Sequence, residues 1–130
     1  MSEQANLDVM RRAVEAFQIG DVAALQALFA QDVVWHVPGT SSLAKDYRGQ
    51  AEVFVFFGRL MKETAGTFRL ENVGMLANAD GGVYVDRVRA ERKGRTLDVM
   101  LLLRVSIAGG RITEGWDCFH QEHVWDNFFD

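Results

Sequence analysis

The segment GGRITEGWDCFHQEH, Gly109 to His123, holds one carboxylate, Asp117, between Trp116 and Phe119 in what reads as the last long strand. A carboxylate kept among aromatic side chains can act as a general base or position a water, because a dry setting raises its affinity for a proton toward neutral pH. Two other groups could work with it. Arg87, in VYVDRVRAER, could stabilise an oxyanion or enolate. His36, in VWHVPG, titrates near neutrality and could carry a proton as an accessory group. Each has a plainer explanation: an Asp117–Arg87 ion pair that only satisfies two charges, and a strand histidine that is only structural. His120 and His123 are three apart, a spacing that suits a helix face, but here the chain is leaving a strand. Without a Cys pair, a His-x-His or a Glu-x-x-His, no metal site is expected. Cys118 should pack beside Trp116 and Leu101, away from Asp117 and from any activating base.

The elements that must position these groups follow from periodicity. Leu7, Met10, Val14 and Phe17 form one helical stripe, Gly20 supplies a stop, and Asp21 can cap a second short helix carrying Leu25, Leu28 and Phe29. DVVWHVPG is a short strand ended by Pro38 and Gly39, with Trp35 beside Val33 and Val37 on one face and His36 on the other. A polar loop containing Tyr47 leads to a third helix over 50–63, whose apolar face includes Val53, Phe56, Phe57, Leu60 and Met61. After Gly66, four strand-like runs are separated by ADGG, KG and AGG, the gaps of β-hairpins. Helices first and a strand meander after is an α+β pattern, with the helices on one side of a curved antiparallel sheet.

Two-residue turns at Lys93–Gly94 and at Gly109–Gly110 fix a register. Arg89 then opposes Asp98, Arg87 opposes Met100, Val85 opposes Leu102, and Leu102 in turn opposes Asp117. This places Val85, Arg87, Arg89, Asp98, Met100, Leu102, Asp117 and Phe119 on one face, and Leu101, Leu103 and Trp116 on the other. The first face is either solvated, with ordinary cross-strand charge pairs, or the lining of a concave cavity. A single bulge would break the assignment.

The chain has 130 residues, 48% of them apolar and 25% charged, and suits a single domain over 1–130 that can bury a substantial core. The net charge of −4 and the lack of a basic stripe argue against nucleic acid. No apolar run has the length of a membrane span, the first residues do not read as a signal peptide, and one cysteine permits no intrachain disulfide. The sequence therefore reads as that of a cytoplasmic protein that binds neither nucleic acid nor membrane.

The helical stripe, GDVAALQALFAQDVVWHVPG, YRGQAEVFVFFGRL and four long strands closing on GGRITEGWDCFH together resemble the SnoaL-like branch of the nuclear-transport-factor-two-like superfamily. That group includes ketosteroid isomerases, polyketide cyclases and limonene epoxide hydrolases. The resemblance runs from about Leu7 to Phe129 and implies a cone-shaped sheet around a central pocket closed by helices, commonly as a homodimer. It favours the cavity for the face of Asp117, with Trp35, Val37, Val85, Arg89, Asp98, Met100, Leu102, Phe119 and Phe57 as lining. The last-strand aspartate that positions water in the epoxide hydrolases falls on Asp117, and their arginine falls on Arg87. Their second aspartate falls on Arg89, a departure that removes an acid. The aspartate that precedes the proline in ketosteroid isomerases falls on Val37, which argues against that reaction.

These observations imply a small cofactor-independent enzyme of isomerase, cyclase or epoxide-hydrolase type, acting on an apolar, oxygen-bearing small molecule. The alternative is a non-catalytic ligand-binding or dimerisation module on the same fold.

Overall fold

A computed structural model describes residues 2–130. Helix α1 (Glu3–Ile19) is capped by the Ser2 hydroxyl, which accepts from the Ala5 N–H, and it ends on Gly20 at φ 73°, a left-handed conformation that suits glycine. The Asp21 carboxylate accepts from the Ala24 N–H at 3.0 Å and starts α2 (Val22–Leu28). Strand β1 (Phe29–Val37) follows, then β2 (Lys45–Arg48) and α3 (Gly49–Glu63). The remainder is β3 (Arg69–Asn78), β4 (Gly81–Arg92), β5 (Arg95–Ala108), β6 (Arg111–Phe119) and α4 (Glu122–Phe128). Sequence patterning missed β2, which lies where a polar loop was expected; its Tyr47 is buried, stacked on Phe56, with its hydroxyl donating to the Leu43 carbonyl at 2.6 Å.

The six strands form one sheet in the order β2-β1-β6-β5-β4-β3. β1 and β6 run parallel, and the other neighbours are antiparallel. Both hairpins turn where the glycines indicated. Lys93 and Gly94 have φ of 52° and 76°, Gly109 and Gly110 have 59° and 76°, and positive φ at both central residues matches the right-handed twist of the flanking strands.

The inner face of the sheet is the core. Along β5 the unbroken series Leu97, Val99, Leu101, Leu103, Val105, Ile107 is buried, while Asp98, Leu102 and Arg104 are exposed. Helices α1 and α3 bury Met10, Ala13, Phe56 and Leu60 against it. The C-terminal helix is fastened by the β4–β5 hairpin tip: Arg92 donates to the Phe128 and Asp130 carbonyls, and Arg95 to the Asn127 carbonyl at 2.7 Å. Among the described residues no helix is long and apolar enough to cross a membrane.

The β4–β5 register is the expected one, with Arg89 opposite Asp98 and Val85 opposite Leu102. The β5–β6 register is not. It begins with Ala108 opposite Arg111, but Ile107 opposes Ile112 while Ser106 opposes Glu114, so Thr113 is an extra residue in β6. From there on Asp117 opposes Leu103 rather than Leu102. A shift of one residue exchanges the faces. Asp117 and Phe119 therefore point inward with Leu101 and Leu103, whereas Val85, Arg87, Arg89, Asp98, Met100 and Leu102 lie on the outer face.

Candidate active site

Asp117 lies near the middle of the inner face, 9% exposed, on the wall of a cavity of about 70 Å³. Trp35 from β1, Tyr84 from β4, Leu101 from β5, Phe57 from α3 and Trp125 from α4 share that wall. Asp117 is the only charged side chain among the lining residues. Phe29 stacks on Trp35 at 5.6 Å between ring centres, and Phe57 meets Trp35 edge-on at 5.5 Å, so the rings fix one another's orientation. Trp35 also lies across the β6 backbone: a Cβ at Gly115 would sit 2.6 Å from its ring. Glycine at 115 therefore lets the indole reach the neighbourhood of Asp117.

The electrostatics follow from this burial. Loss of water pushes the Asp117 carboxyl up to about 7; a hydrogen bond from the Trp35 indole opposes the rise, and the nearby charge of Asp86 adds to it. Asp86, on β4, is 1% exposed. Burial pushes it up to about 6, against a hydrogen bond from the Asn72 amide, which donates to it at 2.8 Å. The same amide contacts the Gly74 carbonyl at 3.0 Å, beside the place where β3 carries its own extra residue, Val73. No salt bridge reaches either carboxylate among the described residues. Two inward residues beyond the expected site thus belong to this neighbourhood. Asp86 lies behind the wall, and Tyr84 lies on it, its hydroxyl donating to the Met10 carbonyl at 2.5 Å. The signal for both was the shared parity of Arg87, Arg89 and Glu91, which marks odd positions of β4 as outward and leaves Tyr84, Asp86 and Val88 inward.

The other expected site residues are dispersed. Arg87 is on the outer face, paired to Asp98 through two bonds of 2.9 and 2.6 Å, so it cannot serve Asp117. Arg89 reaches Glu71 there at 3.9 Å. Val85, Met100 and Leu102 face outward and line no part of the cavity. His36 is also outward, stacked on Trp116 at 5.4 Å, with Nδ1 2.7 Å from Asp46 and Nε2 2.5 Å from Glu114. Burial lowers its proton affinity, but the hydrogen bonds to Glu114 and Asp46 and their charges outweigh that and raise it. Arg104 covers the same Trp116 ring at 4.9 Å. Trp35 and Phe57 line the cavity as expected; Val37 and Phe119 point inward but sit outside its wall, Phe119 stacked on Trp125 at 4.1 Å. Leu101 and Leu103 are buried inside rather than outward, and Cys118 is exposed rather than packed against Leu101.

Residues 10–115 match the SnoaL-like domain, and the chain belongs to that family. Its fold is nuclear-transport-factor-two-like, as in a protein of Burkholderia xenovorans. It is 41% identical over 114 residues to an uncharacterised protein of Mycobacterium tuberculosis, covering 87% of both chains. It resembles the structure of Bal32a, from a soil-derived mobile gene cassette, at 35% identity and a TM-score of 0.95 over 98% of each chain. IdmH of Streptomyces antibioticus, a candidate polyketide cyclase, shares the fold at 19% identity, with a TM-score of 0.76 over 92% of this chain and 95% of that one.

Proposed function

We propose that the protein is a small cofactor-independent enzyme of the isomerase, cyclase or epoxide-hydrolase type. Its substrate is a neutral, apolar molecule bearing a reactive oxygen function. One observation carries this reading: among the described residues Asp117 is the lone charged group in an aromatic-lined cavity and has no cation beside it. A carboxyl poised at about 7 can exchange a proton in either direction near neutral pH. Ionised, it takes a proton from a carbon acid or from an attacking water; protonated, it donates to the substrate oxygen. Asp86, outside the wall, acts through Asp117: its charge holds the Asp117 proton affinity up. Arg87 and His36 have no part in this chemistry, because both face away from it. Family membership supports the class of reaction, and the likeness to IdmH supports the fold.

The test is a panel of oxygenated apolar compounds, followed by Asp117→Asn on whichever is turned over. The expected loss in kcat is about 10²- to 10⁴-fold. With Asp117 as base, kcat/KM of the wild type rises as pH passes through about 7. Full activity in the asparagine variant would remove Asp117 from the chemistry.

The lack of a second acid or base in the described wall beside Asp117 favours a second reading, a binding module without catalysis. Under that reading Asp117→Asn keeps ligand binding and no turnover is found for the wild type. We further propose a cytoplasmic homodimer that uses the outer face, where Met100, Leu102 and Trp116 are accessible beside the charge pairs. A monomer in sedimentation at working concentration would contradict it.

A further inference from the structure

The Asp117 cavity has an apolar neighbour. A second hollow of about 190 Å³ lies on the helix side, lined by Val22, Phe54, Gly58 and Met61 together with Phe17, Leu25 and Phe57. The last three also line the inner cavity, so the two spaces share one wall. That wall is thin and aromatic: Phe17 meets Phe57 edge-on at 5.2 Å, and both rings are only half-buried. The inner space alone is too small for a ring the size of benzene, and the outer one is apolar space that adjoins it across Phe17, Leu25 and Phe57.

Gly58 gives the outer hollow an independent mark. It lies inside α3, where glycine is the least favoured residue after proline. Its backbone is not in the left-handed region, and a Cβ added there would meet no heavy atom within 4 Å. Neither conformation nor packing requires glycine at this position. What the missing side chain does leave is open apolar space between α3 and the α1–α2 corner.

We infer that Gly58 is a specificity-determining residue, which keeps an apolar vestibule open for the body of an elongated ligand whose oxygen-bearing head lies at Asp117. This rests on the reading of the Asp117 cavity as a small-molecule site and names the ligand class: a single neutral hydroxyl or carbonyl head on an unbranched or flat apolar body. Anionic heads are excluded by the burial of Asp117, because no cation lines the wall among the described residues to balance a second negative charge.

The experiment uses two probes, ethanol and 1-octanol, titrated into the ¹⁵N-labelled protein. The resonances followed are the Trp35 indole N–H, beside Asp117, and the Gly58 amide. Ethanol is expected to shift the Trp35 signal alone. Octanol shifts both and binds more tightly, by about fourfold for each added methylene that is buried. Gly58→Leu weakens octanol by about tenfold or more and leaves ethanol within about twofold, as expected if those methylenes lose their space. Val55→Leu, one turn away on α3 and outside both hollows, changes neither. Gly58→Ala raises Tm by about 4 °C, which separates the glycine from any need of the fold. If octanol leaves the Gly58 amide unmoved, or if Gly58→Leu leaves octanol affinity intact, the vestibule is not used and the inference fails, while the Asp117 cavity stands. A lower Tm in Gly58→Ala would also overturn it, since the glycine would then be structural. If neither alcohol moves the Trp35 signal, this inference and the reading of the cavity as a small-molecule site both fall.

Discussion

The two faces of the sheet use the same acids in opposite ways. On the outer face Asp98 holds Arg87 in a two-pronged pair, and that hydrogen bonding keeps its carboxyl below the usual range. On the inner face Asp86 and Asp117 meet no cation among the described residues, only an amide and an indole, and burial drives both upward. That outer pair is ionised at neutral pH and is screened by water. The inner ones hold protons that neutral pH can remove. Proximity to an arginine in sequence therefore says little; the face decides whether an acid can do chemistry.

The contrast is most exposed to stability measurements across pH. Asp117 binds its proton more tightly in the folded protein than in the unfolded chain. Its contribution to stability is complete below about pH 4 and is lost as pH rises through about 7. The loss is of the order of 4 kcal/mol, so Asp117→Asn, which cannot ionise, should be more stable than wild type at pH 8 by about that much and little different at pH 4. Urea melts at the two pH values check this, and equal stabilities at pH 8 would mean that the carboxylate is better solvated than its burial implies. Asp86→Asn should follow the same direction with a smaller gain, about 3 kcal/mol, complete above about pH 6. A loss of stability at both pH values would show instead that Asn72 depends on the carboxylate.

Outer-face changes should be smaller and of opposite sign. His36 has a raised proton affinity, so its stabilisation is present below about pH 6.5 and fades as pH rises through its folded value. His36→Gln should cost about 1 kcal/mol at pH 5.5 and less at pH 9, because the pair with Asp46 and Glu114 is partly exposed. A cost that grows with pH would break the assignment. Arg87→Met should leave both the thermal melt and any activity unchanged, since the pair it removes faces water. A loss of activity there would bring Arg87 back into the site and sink the comparison altogether.

Much of this was legible from side-chain order. The caps at Asp21 and Gly20, the two glycine turns and the β4–β5 register all follow from local chemistry that needs no distant partner. The site was harder, because one inserted residue in β6 reverses what Asp117 faces. Thr113 looks like any strand residue; its place in the bulge is held by pairing with β5, where its hydroxyl donates to the Ser106 carbonyl at 3.3 Å. The Arg87 partnership failed for that reason alone. Asp86 was readable from the parity of the β4 charges, and its raised proton affinity was not, since that depends on which helices and strands exclude water from it.

The contact between Trp35 and Gly115 has a consequence for descent. No side chain at 115 can coexist with this indole on this backbone, since the first carbon would overlap the ring. The two positions are therefore bound to be inherited as one character. A lineage that acquires even an alanine at 115 must move or shrink the ring at 35, and the wall which that ring forms beside Asp117 changes with it. The shape of the cavity in such descendants would then change through a residue that does not line it.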